Sequence, residues 1–286
     1  MAVALGLLGP ALPALAGGEA VSETRPDVTR TSSSSATDLP LRLSGVVEAG
    51  FLSVLKHEAK FGRDGTVFDY RSEGGQDTLF FVKRFSAELE IDESHVVTFL
   101  YQPLRLETAV ELDRDVRVDS LDFPAGTTVD LLYDFPFYRL GYACDFLGSG
   151  PDVLAAGLAL QIRNARISFR SADGTRFRDN RDVGPVPLLS LRGRWSLHER
   201  VWLATEIDGI YAPVSVLNGS DTEVVGALLD ASLRAGAVFG AVECFANVRY
   251  LGGGAVGDSG DDDSPDDYVR NWLHFFVFSL GLRVRV

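Results

Sequence analysis

The chain has 286 residues, 46 % of them hydrophobic, and a net charge of −13. An acidic chain without a basic patch is a poor match for nucleic acid, so no nucleic-acid partner is expected. Beyond the N-terminus no run approaches the roughly 18 consecutive apolar residues that a membrane-spanning helix needs, which excludes a helical membrane protein.

The N-terminal segment has the features of an export signal. The stretch "MAVALGLLGPALPALAGG" is apolar, and Ala14-Leu15-Ala16 has the small-x-small form of a signal-peptidase site. We therefore predict a signal peptide over 1–16. Residues 17–40 are polar and rich in Ser and Thr, a composition that buries too little surface to order itself, so we predict a flexible leader.

From residue 41 onward, apolar and polar residues alternate with almost no helical pattern between them. The alternation predicts strands at 42–61, 79–91, 96–107, 131–147, 153–170, 188–198, 200–212, 223–238, 241–251 and 271–286. Tight turns, such as Asp92–His95 and His198–Arg200, alternate with long polar connections. Short turns at one end and long loops at the other are typical of an outer-membrane barrel with both termini in the periplasm.

The two faces of the strands support a membrane barrel. In the last strand Phe276, Phe278 and Leu280 point to one side, and Arg283 and Arg285 point to the other. No helices are available to cover such an apolar face, whereas a closed barrel turns it toward lipid and satisfies every backbone group. The sequence therefore predicts an all-β fold over 41–286, a transmembrane antiparallel up-and-down β-barrel of about ten strands with long extracellular loops and short periplasmic turns.

Several stretches carry a resemblance to a known class of proteins. The segments "DFPFYRLGYACDF", "GPVPLLSLRGRW", "IDGIYAPVSVLNGSD" and "RYLGGG" resemble bacterial outer-membrane β-barrel proteins of unassigned function. The resemblance implies a place in the bacterial outer membrane, with membrane lipid, lipopolysaccharide and the barrel assembly machinery as partners. It implies no catalytic residues.

Strand parity projects many charged side chains into the lumen. The inward set comprises Glu48, Arg84, Glu88, Glu90, Arg139, Gln161, Arg163, Arg192, Arg194, Glu206, Asp208, Asp230, Arg234, Glu243, Arg249, Arg283 and Arg285. Hairpin register places Arg192 opposite Glu206 or Asp208, and Asp230 opposite Arg249. Because Arg–carboxylate pairs neutralise charges in a confined space, we predict an ion-paired, largely filled lumen without a cofactor, serving a structural, binding or narrow-channel role.

Two alternatives remain open at this stage. A surface enzyme, either a protease or a lipid A-modifying hydrolase, could use Glu206 and Asp208 as acids near the outer rim. It would need a histidine there, but parity puts His274 on the lipid face, and His57, His95 and His198 fall near strand ends or turns. The second alternative is a soluble periplasmic barrel that binds ligands as lipocalins do.

An acidic loop near the C-terminus offers hard oxygen ligands. Asp261, Asp262, Asp263 and Asp266 lie within "DSGDDDSPDD" and could bind Ca²⁺ or Mg²⁺. The loop lacks the spacing of an EF-hand, so a solvated acidic loop is the simpler interpretation.

Overall fold

The structure is a computed structural model that describes residues 41–147, 150, 152–213, 225–258 and 268–286. The predicted signal peptide (1–16) and leader (17–40) lie outside the described residues. Within these ranges no helix is long and apolar enough to cross a membrane.

The described residues form fifteen β-strands. They are β1 (Leu41–Phe61), β2 (Phe68–Asp69), β3 (Leu79–Ile91), β4 (His95–Gln102), β5 (Arg105–Glu111), β6 (Val116–Val118), β7 (Leu121–Phe123), β8 (Thr128–Asp134), β9 (Phe137–Asp145), β10 (Val153–Ser171), β11 (Phe177–Ser196), β12 (Val201–Pro213), β13 (Val225–Phe239), β14 (Val242–Asp258) and β15 (Tyr268–Arg285).

Ten of these strands close into an antiparallel barrel, which confirms the predicted fold class. The wall runs β1, β3, β4, β9, β10, β11, β12, β13, β14 and β15. It closes because β15 pairs with β1, placing Phe278 beside Phe51. The β13–β14 connection is a two-residue turn that begins at Gly240, whose φ of 67° lies in the left-handed region that favours glycine.

Two predicted strands are each divided by a proline. The predicted strand 96–107 splits into β4 and β5 at Pro103, and 131–147 splits into β8 and β9 at Pro136. Proline has no N–H to donate to the ladder, so pairing is interrupted at both points. The two halves β5 and β8 continue as a pair beyond the main wall, with β8 alongside the outer end of β10.

The connection predicted as a long loop around 171–187 is mostly strand, which corrects the sequence analysis. Strand β10 continues to Ser171 and β11 starts at Phe177, leaving only a tight turn. Asp173 organises that turn, since the Ser171 hydroxyl and the Thr175 backbone N–H and hydroxyl donate to its carboxylate. These hydrogen bonds, the Ser171 one foremost, lower the pKa of Asp173 to about 2.

A β-bulge in β1 changes which side chains face inward. The register with β15 shifts between Val54 and Lys56, and Leu55 and Lys56 are both exposed. Beyond the bulge His57 turns inward and is fully buried.

An apolar belt surrounds the outside of the barrel. Leu43 and Phe51 on β1 and Phe278 and Leu280 on β15 are about half exposed, and similar side chains follow the other wall strands. A soluble lipocalin-like barrel would present a polar outer face, so that alternative is wrong.

Candidate functional site

Along the barrel axis, the half of the lumen nearer to the start of β1 is filled by charged side chains. We call this half the inner half and its charged side chains the inner ionic cluster. Its members are Glu48, Arg84, Arg139, Arg192, Glu206, Asp208, Asp230, Arg234 and Arg249. They project from seven wall strands. Seven of the nine are almost completely buried, and Arg192 and Glu206 are partly buried.

The pairs of this cluster bridge strands that are distant in the wall. Arg139 on β9 lies 2.9 Å from Asp230 on β13 and also pairs with Asp208 on β12. Arg234 pairs with Glu206 and lies 2.7 Å from Glu48 on β1. Neutral groups complete the network: Asn247, Ser279, Gln102, Gln161 and Ser190 hydrogen-bond its charged members.

A second group of ion pairs lies closer to the end of the barrel where β1 starts and β15 ends. Arg194 and Arg285 both pair with Glu243, which is completely buried. Arg283 lies 2.9 Å from Glu88. Charge is therefore paired along the inner half of the lumen, and the cleft left beside Arg192 and Glu88 measures only about 10 Å³, the space of about one water.

The structure places all eight sequence-predicted site residues inside the lumen. These are Arg192, Arg194, Glu206, Asp208, Asp230, Arg234, Arg249 and Arg283. Arg192 stands opposite Glu206 in register but pairs with Asp208 at 3.0 Å. The predicted β13–β14 register is wrong by two residues, because Arg249 stands opposite Ser232 and not opposite Asp230. Its side chain reaches diagonally to Asp230 nevertheless.

Glu206 and Asp208 do not form an acidic pair at the outer rim, contrary to the enzyme alternative. Both lie near the middle of β12 and point into the lumen, and Asp208 is only 1 % exposed. Four arginines pair with the two acids: Arg84 and Arg234 with Glu206, and Arg139 and Arg192 with Asp208. The predicted strand 200–212 agrees with β12 (Val201–Pro213), so the error was to place residues 206 and 208, at its middle, near the outer rim.

The outer half of the lumen holds an apolar core that the sequence analysis did not predict. We call it the outer plug. It is built from Phe68, Tyr70, Leu106, Phe123, Tyr133 and Phe169, together with wall residues such as Leu52 and Phe275. The segments 62–78 and 103–136 supply half of its buried residues. The connections 62–77 and 111–129, which were predicted as long polar loops, therefore fold into the barrel mouth and cover it.

A polar group lies at the centre of the outer plug. His57 Nδ1 lies 2.8 Å from Gln76 Oε1, and the His57 ring stacks on Tyr70 at 4.4 Å between centroids. Tyr133 packs edge-on against the same ring. All four side chains are fully buried. His57 had been assigned to a strand end without a partner, an error caused by the bulge at Leu55.

Strand parity contained the signal for several lumen residues that were missed. Asn247 shares the face of Glu243 and Arg249, and Ser279 shares that of Arg283. Both hydrogen-bond Glu48.

The acidic loop with Asp261, Asp262, Asp263 and Asp266 lies outside the described residues. Within the part of the chain that the structure describes, no group of three or more His, Cys, Asp or Glu side chains could hold a metal ion.

The orientation of the two faces decides the class of protein. A closed wall, an apolar outer belt and a charged lumen form the arrangement that hydrocarbon requires of a strand-built membrane protein. The chain has the fold of the bacterial outer-membrane β-barrel proteins. The start of β1 and the end of β15 lie at the same end of the barrel as the short turns β3–β4, β11–β12 and β13–β14, which is the periplasmic end in such barrels.

No family model and no curated protein matches the chain. Among solved structures, the outer membrane protease OmpT of Escherichia coli is similar at 10 % identity and a TM-score of 0.49, covering 86 % of this chain and 97 % of OmpT. Ail, the attachment invasion locus protein of Yersinia pestis, is similar at 9 % identity and a TM-score of 0.35, covering 85 % of this chain and 99 % of Ail. These likenesses concern the fold alone.

Proposed function

We propose that this barrel is a closed, non-conducting outer-membrane protein with a structural or binding role. The observation that carries the proposal is the set of ion pairs that cross the lumen, such as Arg139 with Asp208 and Asp230. A wall of about eight strands already has an interior that side chains can fill, and ten strands are close to that limit. The outer plug adds a second closure above the ionic one.

Lipid and lipopolysaccharide are the partners we propose for the outer face. Lys56, Lys60 and Arg270 point outward just beyond the apolar belt on β1 and β15. Cations at this height are suited to the phosphates of lipopolysaccharide. We further propose that the barrel assembly machinery inserts the chain, and that a divalent cation could bind the acidic loop at 261–266.

A solute-uptake experiment tests the closed lumen. Purified protein is inserted into vesicles, and swelling is followed after addition of a small neutral sugar. We expect the swelling rate of protein-free vesicles, because the inner ionic cluster and the outer plug leave no continuous aqueous path. A rate that rises in proportion to the amount of inserted protein would overturn the proposal.

A further inference from the structure

The barrel wall has a lateral gap in its outer half. Strand β3 pairs with β1 along its whole length, but it pairs with β4 only from Phe85 to Ile91. Beyond Pro103 the chain turns away into β5, which pairs with β8 and not with β3. Leu79–Arg84 therefore presents a free strand edge toward β5, and a free edge facing hydrocarbon is unfavourable unless something covers it.

The upper part of this gap is covered by the chain itself. The Thr108 hydroxyl on β5 donates to the Gly74 carbonyl at 2.5 Å, and Arg114 pairs with Glu73. The segment that leads into β3 is thereby held against β5. Below it, at the end of β4, a cleft of about 10 Å³ is lined by Lys83 from the outside and by Glu48, Arg84, Gln102, Arg249 and Ser279 from the lumen. The Glu48 carboxylate in this lining is paired with Arg234.

A single cation marks the outer edge of the cleft. Lys83 is exposed and points outward between Phe81 and Phe85, and it stands beside Ala49, near the middle of the apolar run 43–55 on β1. Among the described residues it is the one charged side chain within the apolar belt. A basic residue on the lipid face is destabilising near the bilayer midplane, so this position calls for a compensating anion.

The inner side of the cleft has unused hydrogen-bonding capacity. The Arg84 side chain is 9 % exposed, and its Nε and Nη1 atoms make no hydrogen bond. The Nε atom lies 3.7 Å from Glu48 Oε1, and the Nη1 atom lies 3.6 Å from Asp230 Oδ2. The inner ionic cluster also contains five arginines and four carboxylates, which leaves an excess of one positive charge in a lumen of low dielectric.

We propose that this cleft receives the anionic headgroup of a single-chain membrane amphiphile from the side. Lys83 binds the carboxylate or phosphate at the outer edge, and the Arg84 guanidinium stabilises it from the lumen. The acyl chain lies along the aromatic outer surface formed by Phe81, Phe85 and Tyr101. Because the cleft is small, entry requires the flexible Lys83 side chain to move aside.

The test uses the full chain, folded in a neutral maltoside detergent, and isothermal titration calorimetry. The probes are dodecanoate, dodecyl phosphate and uncharged dodecanol. We expect one or both anionic probes to bind, and the preferred one distinguishes a fatty-acid carboxylate from a phosphate headgroup. Dodecanol should bind at least tenfold more weakly, because it brings no charge to Lys83 and Arg84.

Variants separate the cleft from general detergent effects. Lys83→Ala should weaken the anionic probe about tenfold and Lys83→Arg should retain it. Arg181→Ala, which removes an exposed outward arginine of β11, should leave the affinity unchanged. Unchanged binding to Lys83→Ala, binding lost equally in Arg181→Ala, equal affinity for dodecanol or no binding of either anion would overturn the proposal. These outcomes are independent of conductance, so this inference and the closed-lumen proposal can fail separately.

Discussion

The Arg84 guanidinium on β3 donates a hydrogen bond of 3.3 Å to the carboxylate of Glu206 on β12, although β3 and β12 are five strands apart in a wall of ten. The two side chains therefore meet across the full width of the lumen. Arg139 on β9 makes a similar crossing to Asp230 on β13. Such contacts are possible only where the barrel is narrow and its interior is filled by side chains.

Breaking one of these crossings should strongly destabilise the fold. Arg139→Ala leaves Asp208 and Asp230 buried with fewer partners, and removing one member of a buried pair costs about 3–5 kcal/mol. Arg105→Ala is the matched control. Arg105 also contacts two carboxylates, Glu107 and Asp134, but it is about half exposed, so the loss should be about 0–1 kcal/mol.

The measurement is urea unfolding of each variant in lipid vesicles, followed by the loss of the heat-modifiable folded band on gels. Similar stabilities for the two arginine variants would contradict the buried network.

The apolar belt predicts a strong dependence on position for an introduced charge. Leu233 is outward-facing and lies near the middle of β13. Leu233→Arg should cost about 2–4 kcal/mol, the range for a basic residue at the bilayer midplane. Ala109→Arg, on the exposed outer face of β5 beyond the belt, should cost about 0–1 kcal/mol. Equal effects of the two changes on folding into lipid vesicles would refute the facing of β13.

The polar pair in the outer plug should behave as a coupled unit. His57→Leu leaves Gln76 Oε1 buried without its 2.8 Å partner, which should cost about 1–3 kcal/mol. In the double variant His57→Leu, Gln76→Leu the cost should be smaller than the sum of the single changes. A double-mutant cycle of urea unfolding measures this coupling, and strict additivity would mean that the contact contributes nothing.

Topology provides a prediction that is independent of stability. A short epitope inserted at Gly174, in the exposed turn between β10 and β11, should bind antibody on intact cells. The same epitope at Glu199, in the turn between β11 and β12, should be detected only after the outer membrane is permeabilised. The reverse pattern would mean that the barrel is oriented with its tight turns outward.

Much of the wall could be predicted from alternation alone, because each wall strand has one lipid face and one lumen face. Phe278 and Arg283, on opposite sides of β15, show the principle. Alternation fails at the bulge, where one extra residue, Leu55, reverses the parity and sends His57 inward. Nothing in the local sequence around Leu55 distinguishes a bulge from regular strand.

The outer plug and the pairing partners needed three-dimensional information. Segments 62–78 and 103–136 are rich in turn residues and charge, so their buried members, including Phe68 and Phe123, were hidden among solvated neighbours. Cross-lumen pairs such as Arg84 with Glu206 are 122 residues apart in the chain. Hairpin register predicts contacts between adjacent strands, whereas these contacts depend on the curvature of the whole wall.

The most direct test of the closed lumen is the current carried by the wild-type protein in a planar lipid bilayer. We predict no stable large conductance and at most small, ion-selective events, because the inner ionic cluster crosses the lumen and the outer plug covers its mouth. The double variant Arg84→Ala, Arg139→Ala removes two crossings and should conduct more if it still folds. Steady currents of the size carried by porins of 16–18 strands, recorded from the folded wild-type protein, would contradict the account.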